Sequence, residues 1–313
     1  MQILGSRCLR QARLAPILLA GTLAVCGPVS AQELEPRAYA ANPVGVAFLL
    51  VGWSRSTGAV LTDPTLPISD IKATVDIAPA GVGYTFNVAG KVAQAVVALP
   101  YAWADVSGQV FEQSRTVTRS GLADTRIRFA VNLRGNDAMG IRDFVKAPRR
   151  TIVGVSVVVS APTGQYYADK LINIGTNRWA FKPEVGLSVP KGKWDLDAYL
   201  GTWLFAGNDD YFPGGVNRTQ SALAALQGHG AYTFRPRLWL AADGTWYVGG
   251  KPTVGEGTPG AQVNNVRLGL TLSVPAGRQQ SIKLAYSAGA TVRTGTDFKT
   301  FSVGWSRIWL TKM

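Results

Sequence analysis

Charged residues in this chain recur at alternate positions. Arg126 and Arg128 flank Ile127 in "TRIRFAVNL". Arg178, Lys182 and Glu184 stand at even separations in "NRWAFKPEVGL", and Asp195 and Asp197 repeat the step in "KWDLDAYLG". Lys72 and Asp76, His229, Arg237 and Asp243, Arg267 and Lys283 fall in similar alternating runs. On a strand this spacing puts the charges of each run on one face. If all those faces point inward, they hold eight cations (Lys72, Arg126, Arg128, Arg178, Lys182, Arg237, Arg267, Lys283) against five anions (Asp76, Glu184, Asp195, Asp197, Asp243). Two chemistries fit: a polar passage that favours anions, or a network of ion pairs that fills a narrow interior, because buried charges need partners. Catalysis fits less well. His229 is the sole histidine, and "GHGAY" supplies no serine two positions on, so no catalytic residue is assigned. Asp209 and Asp210 in "NDDYFPGG" read as turn residues rather than a Ca²⁺ site. Gly250 to Gly260 lacks phosphate-loop spacing. No metal or cofactor is expected.

The elements that must carry these residues are strands. In "NVRLGLTLSVPAGRQQSIKLAYSAGATV", apolar residues occupy every second position on both sides of a "PAGRQQ" turn. Twelve such segments recur, most of them 12 to 15 residues long. Globular strands are typically about 5–6 residues, whereas tilted membrane-spanning strands need at least about 9–11. The connections sort by end. One set is tight ("NVAGK", "KGK", "RPR", "AGRQ"), with "GNDAMGIRDFVKAP" as its long member; the other is mostly long and polar, as in "DVSGQVFEQSRTVTRSG" and "TGQYYADKLINIGT". Trp53, Tyr101, Trp103, Trp179, Trp203, Trp246, Trp305 and Trp309 lie near segment ends, as aromatic girdles do at membrane interfaces. The fold class implied is all-β: a closed, antiparallel, up-and-down transmembrane barrel of about 12 strands, with short periplasmic turns and longer extracellular loops. A soluble β-sandwich is the alternative. The aliphatic face would meet lipid and the mixed face would line the lumen.

Residues 1–31 read as a cleaved secretory signal peptide. Arg7, Arg10 and Arg13 precede the apolar "LAPILLAGTLAVCG", and Val29 and Ala31 sit at −3 and −1 of a cut before Gln32. Residues 32–313 are then the barrel, and Ala38 to Pro43 a short periplasmic lead-in. Both cysteines, Cys8 and Cys26, leave with the signal, which excludes a disulfide framework. Loss of three arginines lowers the formal charge from +13 to +10. For an exported chain this charge suits lipid and lipopolysaccharide headgroups, not nucleic acid.

The segment "SAPTGQYYADKLINIGTNRWAFKPEVGLSVP" resembles bacterial outer-membrane barrels of the MetA-pathway of phenol degradation family. The matching residues are Pro162, Gly164, Tyr166, Leu171, Asn173, Gly175, Asn177, Trp179, Phe181, Pro183 and Gly186. "LPYAWADVSG" and "SGLADTRIRFAVNL" are similar to family segments, with Ala123 where a Gly-Leu-Gly-Asp turn would have its second glycine. The resemblance implies a Gram-negative outer-membrane location, insertion by the outer-membrane assembly machinery, and association with aromatic degradation. Two readings of function follow: passive passage of small organic solutes, aromatic or hydrophobic acids among them, or a structural or interaction barrel with a side-chain-plugged lumen and no transport.

Overall fold

The computed structural model describes residues 35–61, 68–110 and 113–310. The expected signal peptide lies outside them. In chain order the strands are β1 (Val46–Leu61), β2 (Ile68–Val88), β3 (Lys91–Val110), β4 (Gln113–Leu122), β5 (Thr125–Arg134), β6 (Ile152–Ala161), β7 (Ala180–Lys191) and β8 (Trp194–Phe205). β9 (Asn208–Tyr211), β10 (Val216–Gln220), β11 (Leu223–Arg235), β12 (Leu238–Gly249), β13 (Pro252–Val254), β14 (Val263–Pro275), β15 (Gln280–Thr291) and β16 (Gly295–Leu310) follow. One short helix, α1 (Ile141–Phe144), sits between β5 and β6.

Thirteen strands form one antiparallel sheet, and the β1–β16 and β2–β3 pairings close it on itself. β4 and β5 both pair with β3 and share one wall position, so the wall has twelve. The break between them falls at Ala123 and Asp124, where Ala123 N–H bonds the carbonyl of Pro100. Closure leaves no row of unpaired backbone groups, the condition for a strand structure to cross lipid.

The outer surface carries the apolar alternate positions. Leu200, Leu226, Leu268 and Leu270 are all about half exposed although aliphatic. Trp53, Tyr101, Trp103, Trp179 and Trp246 stand outward toward the long-loop end; Tyr84, Trp194, Phe234 and Trp309 stand toward the short-turn end. These are the two interfacial girdles. Trp203 departs from this set: it is 4 % exposed and points inward.

Two connections that read as loops are structured. The hairpin of β3 and β4 continues past the belt through the "SRTVTRS" alternation, with Val106 paired to Val117. β9, β10 and β13 form a separate three-stranded sheet over the long-loop end. The loop from 162 to 179 folds into the mouth. Its Leu171, Ile172 and Ile174 pack on the inner apolar cluster of Val60, Ile71, Ala73, Val75, Val106 and Phe298.

That packing reverses one sequence expectation. On β2 the inward residues near the mouth are Ile71, Ala73 and Val75, so Lys72 and Asp76 face outward. Asp76 accepts two hydrogen bonds from the Arg55 guanidinium, at 2.9 and 2.8 Å, beside Trp53. The rule that aliphatic faces meet lipid holds only at membrane depth; above it, the inner face is apolar because a loop covers it.

Candidate functional site: the lumen

The residues before β1 enter the barrel. Ala38 to Pro43 is therefore a lumen segment rather than a periplasmic lead-in. Thr85 donates to the carbonyl of Pro43 at 2.8 Å, and Asn136 to that of Asn42 at 3.2 Å. From there the chain crosses to the far wall. Tyr39 is 1 % exposed. Its hydroxyl lies 2.8 Å from Ser156 Oγ and donates to Glu184 Oε1 at 3.1 Å. Its ring meets Tyr199 edge-on at 5.1 Å, with the Arg128 guanidinium 5.1 Å from its centroid. The ring fits because Gly154 and Gly186 leave a slot: a Cβ would stand 2.4 Å and 2.2 Å from ring atoms. Ala38 N–H donates to the Tyr199 hydroxyl at 3.1 Å, and Arg37 N–H to Asp197 at 2.9 Å. The Arg37 guanidinium pairs with Asp195 at 3.2 Å and lies over Trp239.

The wall behind this segment is charged and buried. Lys182 pairs with Glu184 at 3.1 Å, and Gln227 donates to the same carboxylate at 3.2 Å. His229 Nδ1 meets Asp243 Oδ1 at 2.8 Å, and Thr271 holds the other oxygen at 2.7 Å. Arg267 donates to Ser287 and to the carbonyl of Phe298. Buried charges are tolerable when paired in this way. Several cations also lie over rings: Arg126 and Lys182 over Trp203, Arg178 over Phe205, and Lys283 over Trp239. Such stacking is stronger away from water.

Placement of the expected lumen residues is thus mixed. Arg126, Arg128, Lys182, Glu184, Asp195, Asp197, His229, Asp243, Arg267 and Lys283 stand on the inner face, and Arg178 lies just above it in the loop before β7. Lys72 and Asp76 do not. Nor does Arg237, an exposed turn residue at φ 66° that donates to the carbonyls of Gly277 and Gln280. The turn flips it out of the alternation and lets it cap the next hairpin. Residues that spacing could not reveal include Tyr39, Arg37, Ser156 and Trp203.

The opposite wall, from β15 through β16 and β1, has a different character. Gly304, Ser302, Gly52 and Ser54 face inward and are part-exposed. Ser56 meets Thr300 at 2.9 Å. Nearer the short-turn end, Leu50 and Ile308 share this inward face at 39 % and 37 % exposure.

Asp124, at the β4–β5 break, anchors the folded-in loop. Its carboxylate accepts Gly164 N–H and Thr176 N–H, each at 3.0 Å. Between those points Gly164 and Gly175 touch so closely that a Cβ on Gly164 would meet the Gly175 Cα at 2.7 Å. Asp124→Ala should release the loop at a cost of about 1–3 kcal/mol, the range for orphaned buried donors. Faster trypsin cleavage at Lys170, with the barrel itself intact, is the expected reading.

A closed twelve-position barrel with an apolar belt, two aromatic girdles and long loops at one end is an outer-membrane β-barrel. The family model described as "Putative MetA-pathway of phenol degradation" matches residues 69–308, and the chain belongs to that family. Among solved structures it is similar to the COG4313 outer membrane channel from Pseudomonas putida F1. That likeness has 21 % identity and a TM-score of 0.76, over 88 % of this chain and 100 % of that one. It is also similar to the transport unit of the autotransporter AIDA-I from Escherichia coli, at 10 % identity and TM-score 0.51, over 93 % and 96 % of the two chains. No curated protein is close enough in sequence to match.

Proposed function

We propose that this protein is a passive channel for small organic solutes, exported through a cleaved signal peptide (residues 1–31) and folded as a barrel from residues 32–313. One observation carries the reading. The lumen is divided between a wall of paired, buried charges and a wall of small or apolar residues left open, from Ser54 and Ser302 down to Leu50 and Ile308. Solutes move along the open wall, while the cations opposite favour anions over cations. We read the protein as a non-enzyme. The His229–Asp243 pair has no solvent-exposed side-chain surface, so a substrate has no approach to it. Lipid and lipopolysaccharide surround the belt, and the assembly machinery inserts it.

The tightly held Tyr39 favours a second reading, a plugged structural barrel. Conductance in planar bilayers and swelling of liposomes in organic solutes decide between them. Discrete steps and swelling support passage; silence in both sinks it. If ions pass, Arg126→Gln with Arg128→Gln should move the reversal potential in a salt gradient toward cation selectivity. An unchanged reversal potential would remove these two side chains from the conducting path.

A further inference from the structure

The long-loop mouth contains a cluster of cations that the passage itself does not need. Arg178, in the loop before β7, is 3 % exposed, and Arg218 of β10 is 6 % exposed. The Arg178 Nη2 donates to Gln220 Oε1 at 2.5 Å. Its Nη1 is buried and has no hydrogen-bond partner among the described residues. Burial first, then repulsion from Arg218, lowers the Arg178 pKa to about 9. The carboxylate that opposes this is Asp124, and it is already committed to Gly164 and Thr176. A buried guanidinium donor left over beside a second guanidinium is the mark of an anion site.

The surroundings define the rest of the ligand. The Arg178 guanidinium lies 4.5 Å from the centroid of Phe205. Below it are Trp203, Leu223 and Tyr247 in one apolar cluster that Phe205 also joins. Gln220 holds the place of the anion with a neutral amide oxygen, while its amide nitrogen is tied to the carbonyl of Gly250. We propose that Arg178, with Arg218 above and the Phe205–Trp203 cluster below, binds a small aromatic monocarboxylate, whose carboxylate takes Nη1 and displaces the Gln220 oxygen. This rests on the channel reading and makes the site its selectivity element at the extracellular mouth.

Titration calorimetry on the refolded full-length protein, with benzoate, benzamide and formate as probes, tests the assignment. Saturable benzoate binding is expected, with benzamide and formate each weaker by about tenfold or more. Arg178→Gln should weaken benzoate by a similar factor. Gln220→Glu should abolish binding, because the chain then supplies its own carboxylate to Arg178; it should also keep heat-modifiable migration, so the result does not depend on the arginine variant folding. Equal binding of benzoate and benzamide would overturn the anion site. Equal binding of benzoate and formate would overturn the aromatic part, and unchanged benzoate binding in Gln220→Glu would overturn the location. Liposome swelling in benzoate, run in parallel, separates this from the channel reading. Swelling without saturable binding removes the site and leaves passage; binding without swelling leaves the site and removes passage.

Discussion

Freeing the lumen segment, with Arg37→Ala and Tyr39→Ala together, will raise single-channel conductance several-fold. The segment crosses the barrel from Thr85 and Asn136 on one side to Asp195, Asp197 and Trp239 on the other. On the far side its side-chain attachment rests on Arg37 and Tyr39, beside two backbone bonds, Arg37 N–H to Asp197 and Ala38 N–H to Tyr199. Tyr39 fills the Gly154–Gly186 slot and bonds Ser156 and Glu184, while Arg37 supplies the ion pair to Asp195. Without them the segment keeps its Thr85 and Asn136 contacts, while its far end retains just the two backbone bonds among the described residues, too few to hold it across the lumen. A barrel of this strand number has a lumen wider than its own wall side chains fill, intermediate between eight-stranded and sixteen-stranded barrels. The same change orphans polar groups on β6 and β7, so stability falls by about 1–3 kcal/mol per unsatisfied buried group. Gly186→Ala offers a subtler version, since its methyl would enter the Tyr39 ring. Conductance that stays at the wild-type value in the double variant, with folding confirmed on gels, would mean that the segment is not what narrows the path.

The second large effect is on assembly. Leu268→Arg and Leu284→Arg each put a cation on an outward position of adjacent strands β14 and β15, at the depth of the apolar belt. Leu268 is 56 % exposed, so its side chain meets lipid rather than protein. A cation there costs about 2–4 kcal/mol near the midplane. Folding yield into lipid vesicles should drop sharply for both. Ser302→Arg, on the part-exposed inner face of β16, should fold nearly as well as the wild type. Thr271 is unsuitable as the inward control because its hydroxyl is buried on Asp243. Equal yields for Leu268→Arg and Ser302→Arg would invalidate the assignment of faces.

The barrel was readable in the sequence because period two survives in every wall strand. Arg126 and Arg128 alternate with Ile127 and Phe129, and the structure places the arginines inward and the apolar pair outward. The misplacements have local causes. Lys72 and Asp76 lie where β2 rises beyond the belt and the folded-in loop makes the inner face apolar. Arg237 lies in a turn, where alternation ends. Tyr39 was invisible for another reason. Its partners are Ser156 and Glu184, more than a hundred residues away, and nothing in "EPRAYAANP" marks a lumen ligand. Two glycines at alternating positions on neighbouring strands, Gly154 opposite Gly186, were the available hint. Each alone is an ordinary small residue of the inner face, and only their pairing makes a slot. The Arg178 cluster was half legible: Arg178 was named, but Arg218 and Gln220 come from a loop whose three-stranded fold no periodicity announced.

The slot for Tyr39 also dictates a sequence of events in time. Its sides come from β6 and β7, and the neighbouring Arg37 contacts come from β8 and β12. The slot needs β6 paired with β7, and the full set of contacts needs the wall complete from β6 through β12. Contacts this distant in sequence are the slow ones to form. The arm from Arg37 to Tyr39 therefore settles after the strands that hold it. A short-lived intermediate should exist in which the barrel is closed and the N-terminal arm still hangs free. In that interval Arg37 is open to trypsin from the short-turn side, and protection at Arg37 should lag behind the appearance of the heat-resistant barrel during refolding.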